Sequence, residues 1–427
     1  MNPKFSVPRG TCDILPETIS LWDDLELIAR RTLKLYGYKE IRTPIYEDIS
    51  LFKRSLGQTS DVVNKQLLEL ATTGDDKLAL RPEGTAAVVR SYLENNFDKK
   101  EPLTKLFYIG PMFRGERPQK GRLRQFHQIG VEAIGPNSAS PYLDAEILAL
   151  AMHLLTAFGV QEPRLKINSL GSKEDKEQVS AWLRGEFMKH KNGLCTDCQS
   201  RFERNVFRVL DCKNESCRKI VNAVLGADKA LPLSAASQTY FDDVKRTLTS
   251  LHIPFDVSPH LVRGLDYYTH TVFEITAGGN LGSQDAVGAG GRYSGLVHEL
   301  GGDEKVDFGA IGFALGMERL LLAAGTSEGK AQALDAYIVV MDTANQLKGF
   351  QLLDSLRKNG ISAEMSFTGA SMKSQMNKAN KANARFALIL GEQEIKDGTV
   401  AVKDMQIGKQ EIVVLGHIVE TIRKVLK

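Results

Sequence analysis

The sequence predicts an α+β N-terminal domain built on an antiparallel β-sheet and carrying a helical insertion, followed by a smaller C-terminal α/β domain. Three patterns carry this prediction. Apolar strand patterns come in hairpin-like pairs in the first part, the pattern turns helical at about 172–255, and strands then alternate with helices toward the end. A length of 427 residues allows two to three domains. We expect an N-terminal domain over 1–325, a polar linker over 326–334 and a C-terminal domain over 335–427.

Composition is that of an ordinary globular protein. The chain is 42% hydrophobic and 25% charged, with 55 Lys and Arg against 52 Asp and Glu, which argues against disordered, collagen-like and coiled-coil classes. Five cysteines are too few for a disulfide scaffold. No secretory signal is apparent, and the apolar stretch 309–325 contains Glu318 and Arg319. We therefore expect a reduced, cytoplasmic protein without a membrane segment.

The N-terminal elements follow from local patterns. A helix is predicted from Glu17 to Tyr36, after Pro16 and before Gly37. The stretch 310–322 is also predicted to be helical, with Gly312, Gly316 and Arg319 on one face. Three pairs of segments are predicted to form hairpins: 67–70 with 77–82, 106–114 with 125–134, and 261–276 with 285–293.

The C-terminal elements are predicted to form a compact, mostly parallel α/β domain. The expected order is a strand at 335–340, a helix at 346–358, a helix at 371–383, a strand at 384–390, and then two short strands and a terminal helix.

The stretch 106–134 carries the most chemical information. Because strand side chains alternate between faces, Arg114 shares a face with Gly110, and Gln128 and Glu132 share one with Gly130. If these two faces coincide, the glycines clear space above the sheet and the polar side chains point into it. Such an arrangement predicts a ligand-binding floor.

The loop between these two strands, 115–124, is rich in arginine. Arg117, Lys120, Arg122 and Arg124 stand beside Glu116. Guanidinium groups match the oxygens of a polyphosphate, and a solvated charged hairpin tip explains the same composition. Both interpretations remain open for the loop taken alone.

Five ordered motifs resemble the class II aminoacyl-tRNA synthetases, and among them the histidyl-tRNA synthetase family. GYKEIRTPIYE with Pro44, FRGERPQKGRLRQFHQ and GFALGMERLLL resemble the three class II motifs. LVRGLDYYTHTVFE and AVGAGGRYSGL resemble the two histidine-specific signatures, and PRGTCDILP and RPEGTAAVVR also fit. The resemblance runs through nearly the whole chain.

This resemblance implies a class II catalytic domain, an anticodon-binding C-terminal domain, and roles for individual residues. The implied catalytic residues are Arg114, Arg263 and Glu83. The implied histidine-binding residues are Glu83, Gly84, Thr85, Arg114, Gln128, Glu132, Arg263, Tyr267, Tyr268 and Tyr293. The implied ATP-binding residues are Arg114, Glu116, Arg122, Phe126 and Arg319, and Gln119 and Arg124 would contact tRNA.

The same resemblance implies a reaction. L-histidine would be activated by ATP with Mg²⁺ and then transferred to the 3′-terminal adenosine of tRNA(His), by a homodimer with Pro44 at its interface. Paralogues of this catalytic domain act instead as non-catalytic regulatory subunits in histidine biosynthesis, which is the alternative. They lack the anticodon-binding domain and much of the site chemistry that this chain keeps.

The cysteines leave two interpretations open. Cys195-x2-Cys198 and Cys212-x4-Cys217 are within reach of a four-thiolate zinc site. The flanking sequence CQSRFERNVFRVLDCK resembles the family's insertion, which generally does not depend on metal and therefore favours free thiols. No metal ligand is assigned at the catalytic site.

Overall fold

The chain forms two compact units, Met1–Glu328 and Gly329–Lys427, in a computed structural model. The structure describes residues 5–57, 60, 62–119, 121–226, 231–278, 281, 285–325 and 333–426. Most of the expected linker, at 326–332, and Lys120 of the arginine-rich loop lie outside the described residues. Every helix in the described part of the chain is too short or too polar to cross a lipid bilayer.

Unit 1 is built on an eight-stranded sheet in the order β1-β4-β5-β10-β9-β8-β6-β7, with a separate two-stranded β2-β3 pair. Only β1-β4 and β6-β7 pair in parallel, so the predicted antiparallel sheet is confirmed. The strands are β1 (Lys39–Glu40), β2 (Tyr46–Asp48), β3 (Leu78–Leu80), β4 (Thr104–Phe113), β5 (Gln125–Pro136), β6 (Arg164–Ser169), β7 (Phe255–Val257), β8 (Thr269–Thr276), β9 (Ala286–Arg292) and β10 (Phe308–Gly316).

Helices cover both faces of this sheet. Alternate residues of its strands divide between two hydrophobic clusters: Leu106 and Tyr108 belong to one, and Phe107 and Val131 belong to the other. The helices are α1 (Pro16–Leu35), α2 (Ile49–Ser55), α3 (Thr85–Glu94), α4 (Pro141–Ala157), α5 (Lys173–Met188), α6 (Thr196–Arg204), α7 (Phe207–Leu210), α8 (Glu215–Leu225), α9 (Ala235–Ser250), α10 (Ser294–Glu299) and α11 (Met317–Ala323). Helices α5 to α9 lie between β6 and β7 in the chain, where the helical insertion is expected.

One predicted element is wrong. Residues 308–316 form strand β10, and the helix α11 begins only at Met317. Gly312 and Gly316 therefore lie in the sheet, and they do not share a helical face with Arg319. A continuous apolar run carries no periodicity that separates a buried strand from a buried helix, and the chain places this run between two strands, β5 and β9.

Unit 2 holds a five-stranded sheet in the order β12-β11-β13-β14-β15. β11 pairs in parallel with β12 and β13, while β13-β14 and β14-β15 are antiparallel, so the sheet is mixed rather than mostly parallel. Its elements are β11 (Ala336–Val340), α12 (Gln346–Lys358), β12 (Ala363–Met365), α13 (Met372–Lys381), β13 (Phe386–Leu390), α14 (Glu392–Lys396), β14 (Thr399–Asp404), β15 (Gln410–Val414) and α15 (Ile418–Leu426).

Candidate active site

Strands β4 and β5 bring the two predicted polar faces together. Their antiparallel register sets Tyr108 opposite Gly130 and Gly110 opposite Gln128. Residues opposite one another in such a ladder point to the same side of the sheet. Gln128, Gly130 and Glu132 thus share one face with the residues of β4 that lead to Arg114.

The glycines on this face do not leave open space, which corrects the sequence-based expectation. A Cβ atom at Gly130 would lie 2.2 Å from the ring of Tyr108, and one at Gly110 would lie 2.8 Å from the guanidinium of Arg81. Both positions therefore accommodate side chains of the protein itself. On the next strand, Gly312 stands opposite Glu132, and a Cβ there would meet the Glu132 carboxylate at 2.0 Å.

Glu132 is the most deeply buried acid of the site, with only 1% of its surface exposed. It accepts hydrogen bonds from the hydroxyls of Thr85 at 2.7 Å, Tyr108 at 3.5 Å and Tyr293. Burial raises the pKa of Glu132 to about 8, although the hydroxyl donors oppose this shift. The carboxyl group is thus poised to change its charge near neutral pH.

The segment 82–85 connects Glu132 to Arg114. The Arg114 Nε donates to the carbonyl of Pro82 at 2.9 Å, and the Thr85 hydroxyl reaches Glu132. Between them, Glu83 accepts the backbone N–H groups of Thr85 at 2.6 Å and Ala86 at 2.9 Å, at the N-terminus of α3. A carboxylate is stabilised at a helix N-terminus. Gly84 is the N-cap residue, and a Cβ there would clash with Tyr108 at 2.2 Å.

Burial shifts the pKa values of Glu83 and Arg114 in opposite directions. It raises the pKa of Glu83, although the backbone donors and the charge of Arg114 partly oppose this shift. It lowers the pKa of Arg114. Desolvation disfavours the charged form of each group. Glu83 and Arg114 are therefore incompletely solvated, and a ligand that brings an opposite charge to either group would be stabilised by it.

Three tyrosines close the other side of Glu132. The rings of Tyr267 and Tyr268 lie 4.6 Å apart, and the rings of Tyr267 and Tyr293 lie 5.8 Å apart. Burial raises the pKa of Tyr268 to about 12, against the nearby positive charge of Arg263, so the hydroxyl stays neutral and can donate or accept. Gln128 contributes a buried Oε1 atom for which the described residues provide no hydrogen-bond partner.

Arg263 is held beside these tyrosines by an ion pair. Its Nη1 lies 3.0 Å from the Glu274 carboxylate on β8. Glu274 also lines a cavity of about 780 Å³, together with Arg122, Asp285 and Ala286.

The predicted ATP-binding residues also come together. The Arg114 guanidinium lies over the ring of Phe126, 5.3 Å from its centroid, and Arg122 stands 4.0 Å from Glu116. Arg319, on α11, donates to the carbonyl of Ala286. Burial and the positive charge of Arg122 lower the pKa of Arg319, whereas Asp285 and Glu274 oppose this shift. Guanidinium groups suit an anionic ligand such as a polyphosphate.

The two predicted tRNA contacts lie in the hairpin loop, Gln119 at its tip and Arg124 directly before β5. Gln119 is exposed and bridges to Arg122 through backbone hydrogen bonds. Arg124 also packs against the N-terminal segment, where its side chain occupies the space over Gly10, and its Nε donates to the Glu116 carbonyl at 3.3 Å.

A cavity of about 1000 Å³ lies apart from the predicted histidine pocket. Lys176, His270 and Arg292 line it, and Tyr267 is the one predicted histidine-binding residue that reaches it. Of the other predicted histidine-binding residues, Thr85 and Tyr293 contact Glu132 directly.

A histidyl-tRNA synthetase family model matches residues 10–320, and an anticodon-binding domain model matches residues 335–425. The chain belongs to the histidyl-tRNA synthetase family. It is 45% identical to the histidine–tRNA ligase of Natranaerobius thermophilus and 46% identical to that of Moorella thermoacetica, over 98% of both chains in each case. The crystal structure of apo Staphylococcus aureus histidyl-tRNA synthetase superposes with a TM-score of 0.80, at 37% identity, over 98% of this chain and 99% of that one.

Family membership confirms the resemblance inferred from the motifs. Two residues of the site were nevertheless missed by the sequence analysis. Tyr108 donates to Glu132, and Arg81 donates to the backbone carbonyls of Pro111 and Thr43 across the strands. The signal for Tyr108 was its place on the glycine-bearing face, because a large ring among glycines needs the space that they leave. Arg81 gave no signal beyond its motif.

Proposed function

We propose that this chain is a histidine–tRNA ligase. It activates L-histidine with ATP to form histidyl-adenylate and pyrophosphate, and then transfers histidine to the 3′-terminal adenosine of tRNA(His). Its histidine pocket is formed by Glu83, Thr85, Gln128, Glu132, Tyr267, Tyr268 and Tyr293. ATP is held by Arg114, Glu116, Arg122, Phe126 and Arg319.

The buried carboxylate of Glu132 carries this proposal. A carboxylate offers about four lone-pair sites, and three of these accept the hydroxyls of Thr85, Tyr108 and Tyr293. One site remains for an N–H donor such as that of an imidazole ring. Tyr268 provides a neutral hydroxyl for the second ring nitrogen. A site with buried polar partners rejects side chains that lack matching groups.

The first chemical step needs positioning and charge neutralisation rather than a covalent intermediate. The histidine carboxylate attacks the α-phosphorus of ATP, and pyrophosphate leaves on the opposite side. Arg114 and Arg263 flank the phosphorus and stabilise the charge that develops on its oxygens. Glu83, near Arg114, receives the α-ammonium group of the substrate and fixes the direction of its carboxylate.

The residues around Glu274 fit the Mg²⁺ ion that accompanies ATP in this family. Glu274 and Asp285 present carboxylates to the cavity that Arg122 lines, and Mg²⁺ prefers carboxylate and phosphate oxygens. When bound, the ion supplies positive charge to the phosphates. Arg319 and Arg122 supply further positive charge on this chain.

We further propose a cytoplasmic homodimer that binds tRNA with both units. Motif 1 carries the exposed side chains of Ile45 and Tyr46 beside Pro44, and two copies of this surface would form the two-fold interface. Unit 2 would contact the anticodon, while Gln119 and Arg124 in the hairpin loop would contact the acceptor end. Sedimentation of the purified protein tests the dimer, and a concentration-independent monomer would contradict it.

Histidine-dependent ATP–pyrophosphate exchange tests the activity. We expect exchange with L-histidine and aminoacylation of tRNA(His). Replacing Arg114 by Ala should lower kcat about 10²–10³-fold, the usual cost of removing one donor to developing charge. Arg117→Ala is the matched control, because this exposed arginine lies only three residues further along the chain and its replacement should leave the rate nearly unchanged.

The outcome separates the two functions. Folded protein that binds histidine and fails to exchange pyrophosphate would favour the regulatory alternative. Equal loss of activity in the Arg114 and Arg117 variants would contradict the role given to Arg114.

A further inference from the structure

The helical insertion holds a cluster of four cysteines that the proposed catalysis does not use. The sulfur atoms of Cys195, Cys198, Cys212 and Cys217 all lie within 4.8 Å of one another. The first two stand 14 residues or more before the others in the chain, so the fold itself brings the pairs together. We propose that these four thiolates bind one structural zinc ion.

The spacing of the sulfur atoms fits a single tetrahedral ion. Zinc–sulfur bonds of about 2.3 Å in a tetrahedron place the sulfurs about 3.8 Å apart. The Sγ atoms of Cys195 and Cys212 lie 3.9 Å apart. This is far longer than the ~2.05 Å of a disulfide bond, and all four cysteines are free. The arrangement therefore matches the edge of a zinc-centred tetrahedron.

The N-termini of helices α6 and α8 contribute three of the four cysteines. Cys195 is the N-cap residue of α6 and Cys198 lies in its first turn, while Cys217 lies in the first turn of α8. Helix N-termini stabilise negative charge. Two backbone N–H groups also donate to the sulfurs, from Cys195 to Cys217 at 3.1 Å and from Asn214 to Cys212 at 3.4 Å.

The surroundings explain why this part of the insertion needs a metal. Helices α6 and α7 are nine and four residues long, and short helices are marginal without tertiary support. Cys198 and Cys217 are fully buried among the apolar residues of this region, including Phe202 and Val221. An ion that binds both pairs would fix α6 against α8. Arg201 and Lys213 line the adjoining cavity beside Cys195 and Cys212, where Asp197 and Asp211 also lie.

Metal analysis of the full-length protein tests the proposal directly. Protein produced in zinc-containing medium and purified without chelator should contain about one zinc ion per chain when its metal content is measured by elemental mass spectrometry. Replacing zinc by Co²⁺ should give the visible absorption bands of tetrahedral thiolate-bound cobalt. Cys217→Ser should lose the metal, and Cys12→Ser should keep it, because Cys12 is an exposed cysteine outside the cluster.

Thiol labelling keeps the test decisive if the Cys217 variant fails to fold. In wild-type protein, maleimide should label Cys12 at once, and should label the partly exposed Cys195 and Cys212 only after the zinc has been extracted. Labelling of Cys195 and Cys212 that does not change on treatment with a chelator, with no zinc and no cobalt spectrum, would overturn the proposal. Iron in place of zinc, or a disulfide within the cluster, would overturn it as well. The inference rests on the thiol geometry alone, so it stands or fails independently of the aminoacylation reaction.

Discussion

Glu132→Gln tests the buried carboxyl group at the centre of the site, because it should stabilise the fold and weaken the activity together. The pKa of Glu132 is raised from 4.5 to about 8 by burial. The folded state therefore holds this proton more tightly than the unfolded state does. The resulting stabilisation is complete below about pH 4.5 and is lost as the pH rises through 8.

The size of this effect follows from the shift. Each pKa unit corresponds to about 1.4 kcal/mol, so the free energy of unfolding of the wild type should lose about 5 kcal/mol from this group between about pH 4.5 and pH 9. Glutamine cannot titrate. The difference in unfolding free energy, variant minus wild type, should therefore grow by about 5 kcal/mol over this range.

Urea unfolding at pH 5 and at pH 9 measures most of this difference, about 4 kcal/mol, because the carboxyl of the unfolded chain is already largely ionised at pH 5. Glu215→Gln is the matched control, since the Glu215 side chain is 84% exposed and its variant should show no such change. In exchange assays at pH 9, where the Glu132 carboxyl is ionised, Glu132→Gln should raise the KM for histidine about 10–150-fold, the cost of losing a hydrogen bond of about 1.5–3 kcal/mol to a charged group. The KM for ATP should stay constant. A stability difference that is the same at both pH values would refute the argument.

Two further substitutions test the packing around the site. Gly130→Ala should destabilise the protein by about 1–3 kcal/mol in urea unfolding, because the new methyl group would overlap the ring of Tyr108. Gly185→Ala, in helix α5 with no atom within 4 Å of the new methyl, should instead stabilise by up to about 1 kcal/mol, and equal effects would contradict the packing argument. Asp144→Asn should cost about 3–5 kcal/mol, because it leaves the fully buried Arg292 without its carboxylate. An unchanged thermal unfolding temperature in the Asp144→Asn variant would show that the Asp144–Arg292 ion pair contributes nothing to stability.

Local patterns sufficed for much of the architecture. The helix predicted at 17–36 forms at Pro16–Leu35, and the strands predicted at 106–114 and 125–134 form β4 and β5 with the expected faces. Alternation along a strand and a proline at a helix start depend on neighbours in the chain. Such features are therefore visible before any tertiary contact is known.

Side chains that are distant in the chain fill the space above Gly110 and Gly130. Tyr108 covers Gly130, and Arg81 covers Gly110, so the open floor expected from the strand pattern is occupied. No local pattern shows which distant side chain enters a gap, because packing is decided by the three-dimensional arrangement of elements.

The chain on its own determined the two strands of the site, the faces of their polar residues and the family motifs, since these depend on the identity and order of nearby residues. Only the tertiary structure decided that 308–316 is a strand, that Glu132 is enclosed by three hydroxyls, and that four cysteines converge. Each of these results requires contacts between segments that are far apart in sequence. Their free energy comes from burial and pairing, which no single segment can achieve alone.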